Sequence, residues 1–127
     1  MKKGCGCGCL LLPLLFFVGL AAVGTLVYFV FFPSVPEPSA TYDCDDSTLS
    51  MYNHFSELGF EVTPVAGNLA MDNEEFTDCD HIWLWVNIGG EIIAYDWGEP
   101  YSDPQHYEGY RVSYQLLLRA VQADKQQ

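Results

Sequence analysis

Basic residues are scarce in this chain: five lysines and arginines stand against 17 aspartates and glutamates. Beyond Pro33 the imbalance sharpens, because every acidic residue lies there and the only bases are Arg111, Arg119 and Lys125. A surface of that sign repels a phosphate backbone, which excludes nucleic acid as a partner. Charge is missing altogether from Leu10 to Phe32, a run of 23 residues. No Leu-x-x-Cys lipobox is present, since Cys5, Cys7 and Cys9 all precede the apolar run, and a lipoprotein is therefore not expected. Internal repeats are absent. The acidic positions Asp72, Glu74, Glu75, Asp78 and Asp80 lack the ordered ligand spacing of an EF-hand loop, so they read as a solvated face and not as a calcium site. Nothing in the pattern calls for a metal or another cofactor.

The uncharged run is the longest feature present. At a rise of about 1.5 Å per residue it reaches about 35 Å as a helix, enough to span the hydrocarbon core of a bilayer with some tilt. The apolar region of a signal peptide is shorter, about 7–15 residues, so the run reads as a retained anchor even though Pro38-Ser39-Ala40 has the form of a cleavage site. Lys2 and Lys3 lie just before the run and the next base is Arg111, which places the amino terminus in the cytoplasm and the domain outside. Cys5, Cys7 and Cys9 alternate with glycine beside the membrane; acylation and metal binding both remain open, although so short a run makes a poor tetrahedral site. Pro33, Pro36 and Pro38 favour extended backbone and predict a stiff spacer. The expected organisation is a Cys/Gly-rich cytoplasmic segment (1–9), a transmembrane helix (10–32), a Pro-rich spacer (33–41) and one small domain (42–127).

Within that domain, Asp43 reads as the cap of a helix, with Asp46 three residues on as a capping-box variant. Thr48, Met51, Phe55 and Leu58 fall at helical spacing and Gly59 ends the pattern. Phe60 to Ala66 reads as a strand, Gly67-Asn68 as a turn and Leu69 to Cys79 as an acidic loop. His81 to Ile88, then Gly89-Gly90, then Glu91 to Asp96 has the form of a hairpin with a two-residue turn. Pairing Ile88 with Glu91 sets Trp85 opposite Ala94 and Trp83 opposite Asp96. One face then carries His81, Trp83, Trp85, Asn87, Ile92, Ala94 and Asp96; the other carries Ile82, Leu84, Val86, Ile88, Ile93 and Tyr95 and reads as core. Trp97 to Tyr110 is rich in Gly, Pro, Tyr and Asp and is expected to be loop, with a short strand near Tyr110–Val112. Ser113 caps a final helix from Tyr114 to about Ala123. The predicted class is α+β, a Cys-bearing helix packed on an antiparallel sheet.

Cys44, His81 and Asp96 supply a thiol, an imidazole and a carboxylate, the set used in nucleophilic acyl transfer. In the first turn of a helix, Cys44 meets exposed N–H groups that favour a thiolate, while Asp43, Asp45 and Asp46 oppose it. On the same hairpin face, Asp96 can accept a hydrogen bond from His81 and favour its imidazolium.

The ordered set Asp43-Cys44-Asp45-Asp46, Leu58-Gly59, Val65-Ala66-Gly67, His81-Ile82-Trp83 and Tyr95-Asp96 resembles the core of the transglutaminase-like (papain-like) superfamily, over about Thr41 to Trp97. That family runs from a helix starting at Cys, through a Leu-Gly helix end, to a His-Ala-Trp-type strand and a partner strand ending in Asp. The resemblance implies Cys44 as nucleophile, His81 as base and Asp96 as its orienter. It also implies hydrolysis of amide bonds or transfer of acyl groups to amines, on a protein or peptide substrate. The family has further helices ahead of its cysteine, often with a side chain that completes the oxyanion site; here the spacer begins almost at once. The Cys44 N–H is one natural donor, and Tyr42 is a candidate for the other.

Several alternatives stand beside this reading. Cys44 and Cys79 are the only cysteines outside the expected cytoplasmic segment and could form a disulfide in an oxidising compartment. Trp83 and Trp85 are packing candidates, with Trp83 also a candidate to line a substrate groove. His54 and His106 rank below His81 as bases, the first too far along the helix and the second in a loop. The rival function is a catalytically inactive, membrane-anchored binding module that holds a partner through the segment from Trp97 to Tyr110.

Overall fold

A computed structural model describes residues 8–70 and 75–125, with backbone alone for 8–12. Lys2, Lys3, Cys5, Cys7, Asp72 and Glu74 lie outside the described residues, as does the Cys9 side chain. The chain divides between Phe31 and Phe32 into two units, taken in turn here.

The first unit is helix α1, Gly8–Phe31. Its Pro13–Phe31 portion has a mean hydropathy of 2.4 and is long and apolar enough to cross a membrane. Leu14, Leu15, Phe16 and Phe17, successive positions about 100° apart around the axis, are all exposed apolar side chains, so the helix has no polar face there.

The second unit is an α+β domain. Its helices are α2 (Cys44–Glu57) and α3 (Tyr114–Asp124). Its strands are β1 (Glu61–Gly67), β2 (His81–Ile88), β3 (Glu91–Asp96), β4 (Glu99–Tyr101) and β5 (Tyr110–Arg111). They form one antiparallel sheet in the order β4-β3-β2-β1-β5. Helix α2 begins where Asp43 Oδ1 accepts the N–H groups of Asp45 (3.0 Å) and Asp46 (3.3 Å), and it ends at Leu58, before Gly59 turns left-handed at φ 86°. Ser113 Oγ caps α3 by accepting the Leu116 N–H.

The hairpin register is the one read from the sequence: Ile88 pairs with Glu91 and Trp85 with Ala94. Strand β1 adds to it with Ala66 opposite Ile82 and Val65 opposite Trp83. The two faces of the sheet are covered differently. Leu84, Val86 and Tyr95 pack under Met51 and Phe55 of α2, and Ala66 and Ile82 pack with Val112 and with Leu117 and Val121 of α3. On the opposite face Val65, Trp83 and Ala94 form a smaller cluster flanked by Trp85. Neither α2 nor α3 contributes to that cluster; the segment bearing His106 and Tyr107 covers it. The indole N–H groups of Trp83 and Trp85 both donate to His106 O, at 2.8 and 2.7 Å, and Tyr107 Oη accepts the Ala94 N–H at 3.4 Å.

Three expectations are corrected here. The region from Trp97 to Tyr110 is not simply loop: Trp97 (φ 49°) and Gly98 (φ 82°) make a tight turn into the edge strand β4, and Pro104–Tyr107 forms a short 3-10 turn. The segment from 33 to 41 is not wholly a spacer. Pro33 is buried, Val35 packs against the cluster under α2, and a Cβ on Gly98 would stand 2.5 Å from Pro33 O. Its prolines set an extended backbone that the domain uses as packing surface. Strand β1 also runs through Gly67, one residue further than expected.

Candidate functional site

Cys44 is the first residue of α2. The Asp43 carboxylate takes the next two N–H groups, and the Cys44 N–H has no acceptor among the described residues. Such an orphan donor at a helix start is suited to a developing negative charge. The thiol donates toward Asp45 Oδ1 at 3.9 Å. Helix α2 is also tied directly to the strand that bears the imidazole, because Thr48 Oγ1 donates to Ile82 O at 3.0 Å.

His81 opens β2 and Asp96 closes β3, and the antiparallel register brings them together with His81 Nε2 2.8 Å from Asp96 Oδ2. That contact leaves Nδ1 as the ring nitrogen available to Cys44. Burial works against a charged ring at this position. The hydrogen bonds and charges of Asp96 and Cys44 outweigh it and push the His81 pKa up to about 10. Asp96 itself is only 5 % exposed and lies behind His81, away from solvent.

Cys44 and His81 face a groove of about 420 Å³. Cys44, His81, Asp43, Asp45, Asp80 and Asp124 supply its polar wall, and Phe76, Val112, Leu116 and Leu117 its apolar one. The acidic wall shows its own strain: burial, then Asp43, Asp124 and Asp46, push the Asp45 pKa up to about 6 against a lowering by His81. A hydrogen bond with Asp43 raises that of Asp124. Among the described residues the one cluster compact enough for a metal is Asp43, Cys44 and Asp45, whose ligand atoms lie within 4.8 Å of one another. Asp43 is already engaged there as the helix cap, so the donor set suits the helix start better than an ion.

The remaining sequence candidates are placed as follows. Trp83 is fully buried and donates to His106 O, so it is packing and offers no surface to a substrate in the groove. Tyr42 is turned away: its hydroxyl donates to Ser50 Oγ at 3.1 Å and its ring leans on Trp97, outside the groove lining. Cys79 lines the groove and packs on the same apolar cluster as Cys44, and both cysteines are thiols in the structure. His54 sits in the last turn of α2, away from the groove.

His106, which sequence reading set below His81 as a base, lies outside the groove and beside Asp96. It is 5 % exposed, its Nε2 lies 3.1 Å from the same Asp96 Oδ2 that meets His81, and its Nδ1 lies 2.8 and 2.9 Å from the two oxygens of Asp103. Its ring stacks on Tyr101 at 4.2 Å. The hydrogen bond from His106 is the main cause holding the Asp103 carboxyl below its ordinary range. The available signal was Asp103-Pro104: a capping aspartate followed by proline starts a helical turn, which places the third residue on beside its own cap. Comparison with known protein families, curated proteins and solved structures yields no match.

Proposed function

We propose that this chain is a membrane-anchored thiol enzyme of the transglutaminase-like type, acting on amide bonds of a protein or peptide substrate outside the cytoplasm. One observation carries the reading: His81, paired with Asp96 at 2.8 Å, lines the same groove as the helix-start Cys44. The anchor rests on the apolar helix α1 and the orientation on Lys2 and Lys3.

In the proposed cycle the reactive form of the site is a Cys44 thiolate beside a His81 imidazolium that Asp96 stabilises. The sulfur attacks the substrate carbonyl carbon, and the carbonyl oxygen takes up the electron pair within reach of the Cys44 N–H. The C–N bond then breaks as His81 returns its proton to the leaving amine, leaving a thioester on Cys44. Water, or a second amine, attacks the thioester with His81 accepting its proton, and the thiolate leaves. Water is always available, so hydrolysis is favoured over cross-linking.

A small activated ester tests the chemistry without knowledge of the substrate. Full-length chain in detergent is mixed with p-nitrophenyl acetate. A burst of nitrophenolate, an acetyl group mapped to Cys44, and slow turnover that added primary amine accelerates are the expected results. Acetylation equally distributed over Cys44 and Cys79, with no turnover, would remove the support for an enzyme.

One observation favours the second reading, an inactive binding module. The Cys44 proton is directed at Asp45, and a carboxylate beside sulfur opposes the thiolate. That reading requires Cys44→Ala to leave the protein's biological effect intact.

A further inference from the structure

Two histidines converge on one oxygen of Asp96, and only one of them, His81, takes part in the cycle above. The other, His106, is held more completely. Both of its ring nitrogens face carboxylates, its carbonyl oxygen accepts from Trp83 and Trp85, and its ring is stacked on Tyr101. An ionised carboxylate can only accept hydrogen bonds. A ring that contacts Asp96 through Nε2 and Asp103 through Nδ1 satisfies both only when each nitrogen carries a proton.

We propose that His106 is a positioning residue: an imidazolium clamped by Asp103 that keeps the buried Asp96 carboxylate ionised and aimed at His81. The inference rests on the thiol-enzyme reading of Cys44, His81 and Asp96 and assigns that site a fourth and a fifth member, His106 and Asp103. The physical need arises within the cycle. When His81 hands its proton to the leaving amine it becomes neutral, and Asp96 is left as an almost fully buried carboxylate. An unpaired buried charge is costly and tends to neutralise by taking up a proton. A second imidazolium on the other side of Oδ2 keeps the carboxylate paired when His81 is neutral, so the geometry that orients His81 does not change as the proton moves. The groups facing Asp96 and its clamp are His81 from β2, Glu99 and Tyr101 from β4, and His106 and Asp103 from the covering segment. His106 is the cation among them whose proton the cycle does not use.

Two variants test this in the full-length chain in detergent micelles. Asp103→Asn removes the outer carboxylate at a partly exposed position and leaves the ring in place. His106→Gln keeps an N–H donor for Asp96 and removes the charge. Histidine ¹⁵N spectra from pH 5 to 9 report the ring state directly, and iodoacetamide labelling of Cys44 over the same range reports the site. In the wild type at pH 6, His106 is expected to show two protonated ring nitrogens. In Asp103→Asn that state is expected to be lost at a lower pH than in the wild type. In both variants the acid limb of Cys44 labelling is expected to move up by about one pH unit, the displacement that corresponds to a roughly tenfold change in proton affinity. A neutral His106 ring in the wild type at pH 6 overturns the proposal, and so does an unshifted limb in both variants. Those failures are separable from failure of the underlying reading: if wild-type Cys44 reacts no faster than Cys79 at any pH, the enzyme reading falls and the positioning role falls with it.

Discussion

The Cys44 thiol donates toward Asp45 Oδ1 across 3.9 Å, so the group proposed as nucleophile faces a carboxylate in the groove that it shares with the His81 imidazole. The carboxylate has a pKa pushed up to about 6, chiefly by burial, and it is therefore charged at neutral pH and largely neutral below about pH 5. Asp45→Asn is expected to speed alkylation of Cys44 at pH 7 by about fivefold, the effect of removing about 1 kcal/mol of like-charge repulsion at such a distance in a well-solvated setting. Below pH 5 the variant and wild type are expected to react alike. Second-order rate constants for iodoacetamide at pH 4.5 and 7 check both halves; equal rates at pH 7 contradict the electrostatic account.

The imidazole makes a prediction about stability. The folded-state pKa of His81 is about 10 against an ordinary value of 6.5, so the protonated ring favours the folded state. That contribution is fully present below about pH 6.5 and is lost as pH rises towards 10. After allowance for solvent screening of a partly exposed ring, wild type is expected to lose about 1–2 kcal/mol more than His81→Gln over this window. Urea unfolding of both proteins at pH 6 and 9.5 measures the difference. Parallel losses in the two proteins count against the His81–Asp96 pairing as a source of stability.

Gly67 and Trp83 make a third prediction, about how the face beneath His106 is built. A Cβ at position 67 would stand 2.5 Å from Trp83 Cη2, so the indole occupies the space that a side chain there would need. Gly67→Ala is expected to cost about 1–3 kcal/mol by overpacking. In a Trp83→Leu background the same change is expected to cost less, because the two positions compete for one volume. A double-mutant cycle in urea checks the coupling, and additive losses rule out the competition.

The parts of the fold that could be read from the sequence are those whose signals are local. The Asp43 cap and Gly59 stop bound α2. Gly89-Gly90 between alternating strands sets the hairpin register, and with it the meeting of His81 and Asp96. Ser113 starts α3. What escaped depends on tertiary contact. Trp97 is an uncommon residue at positive φ, so the turn into β4 carries only Gly98 as a signal. Prolines from 33 to 38 announce extended backbone without saying that Pro33 and Val35 pack against the domain. His106 lies ten residues beyond Asp96 in a segment of turn-forming composition, and its place in the site follows from the segment folding back over Trp83 and Trp85. The same burial explains why Trp83 is packing and not a groove residue.

The central claim is that Cys44, His81 and Asp96 act as one unit. The most direct measurement is mass-spectrometric mapping of alkylation in the purified, unreduced, full-length chain at pH 6–7, in wild type and in His81→Ala. The account predicts rapid modification of Cys44, slower modification of Cys79, and loss of the fast reaction at Cys44 when His81 is removed. An inert Cys44 both before and after mild reduction, or a rate untouched by His81→Ala, contradicts it.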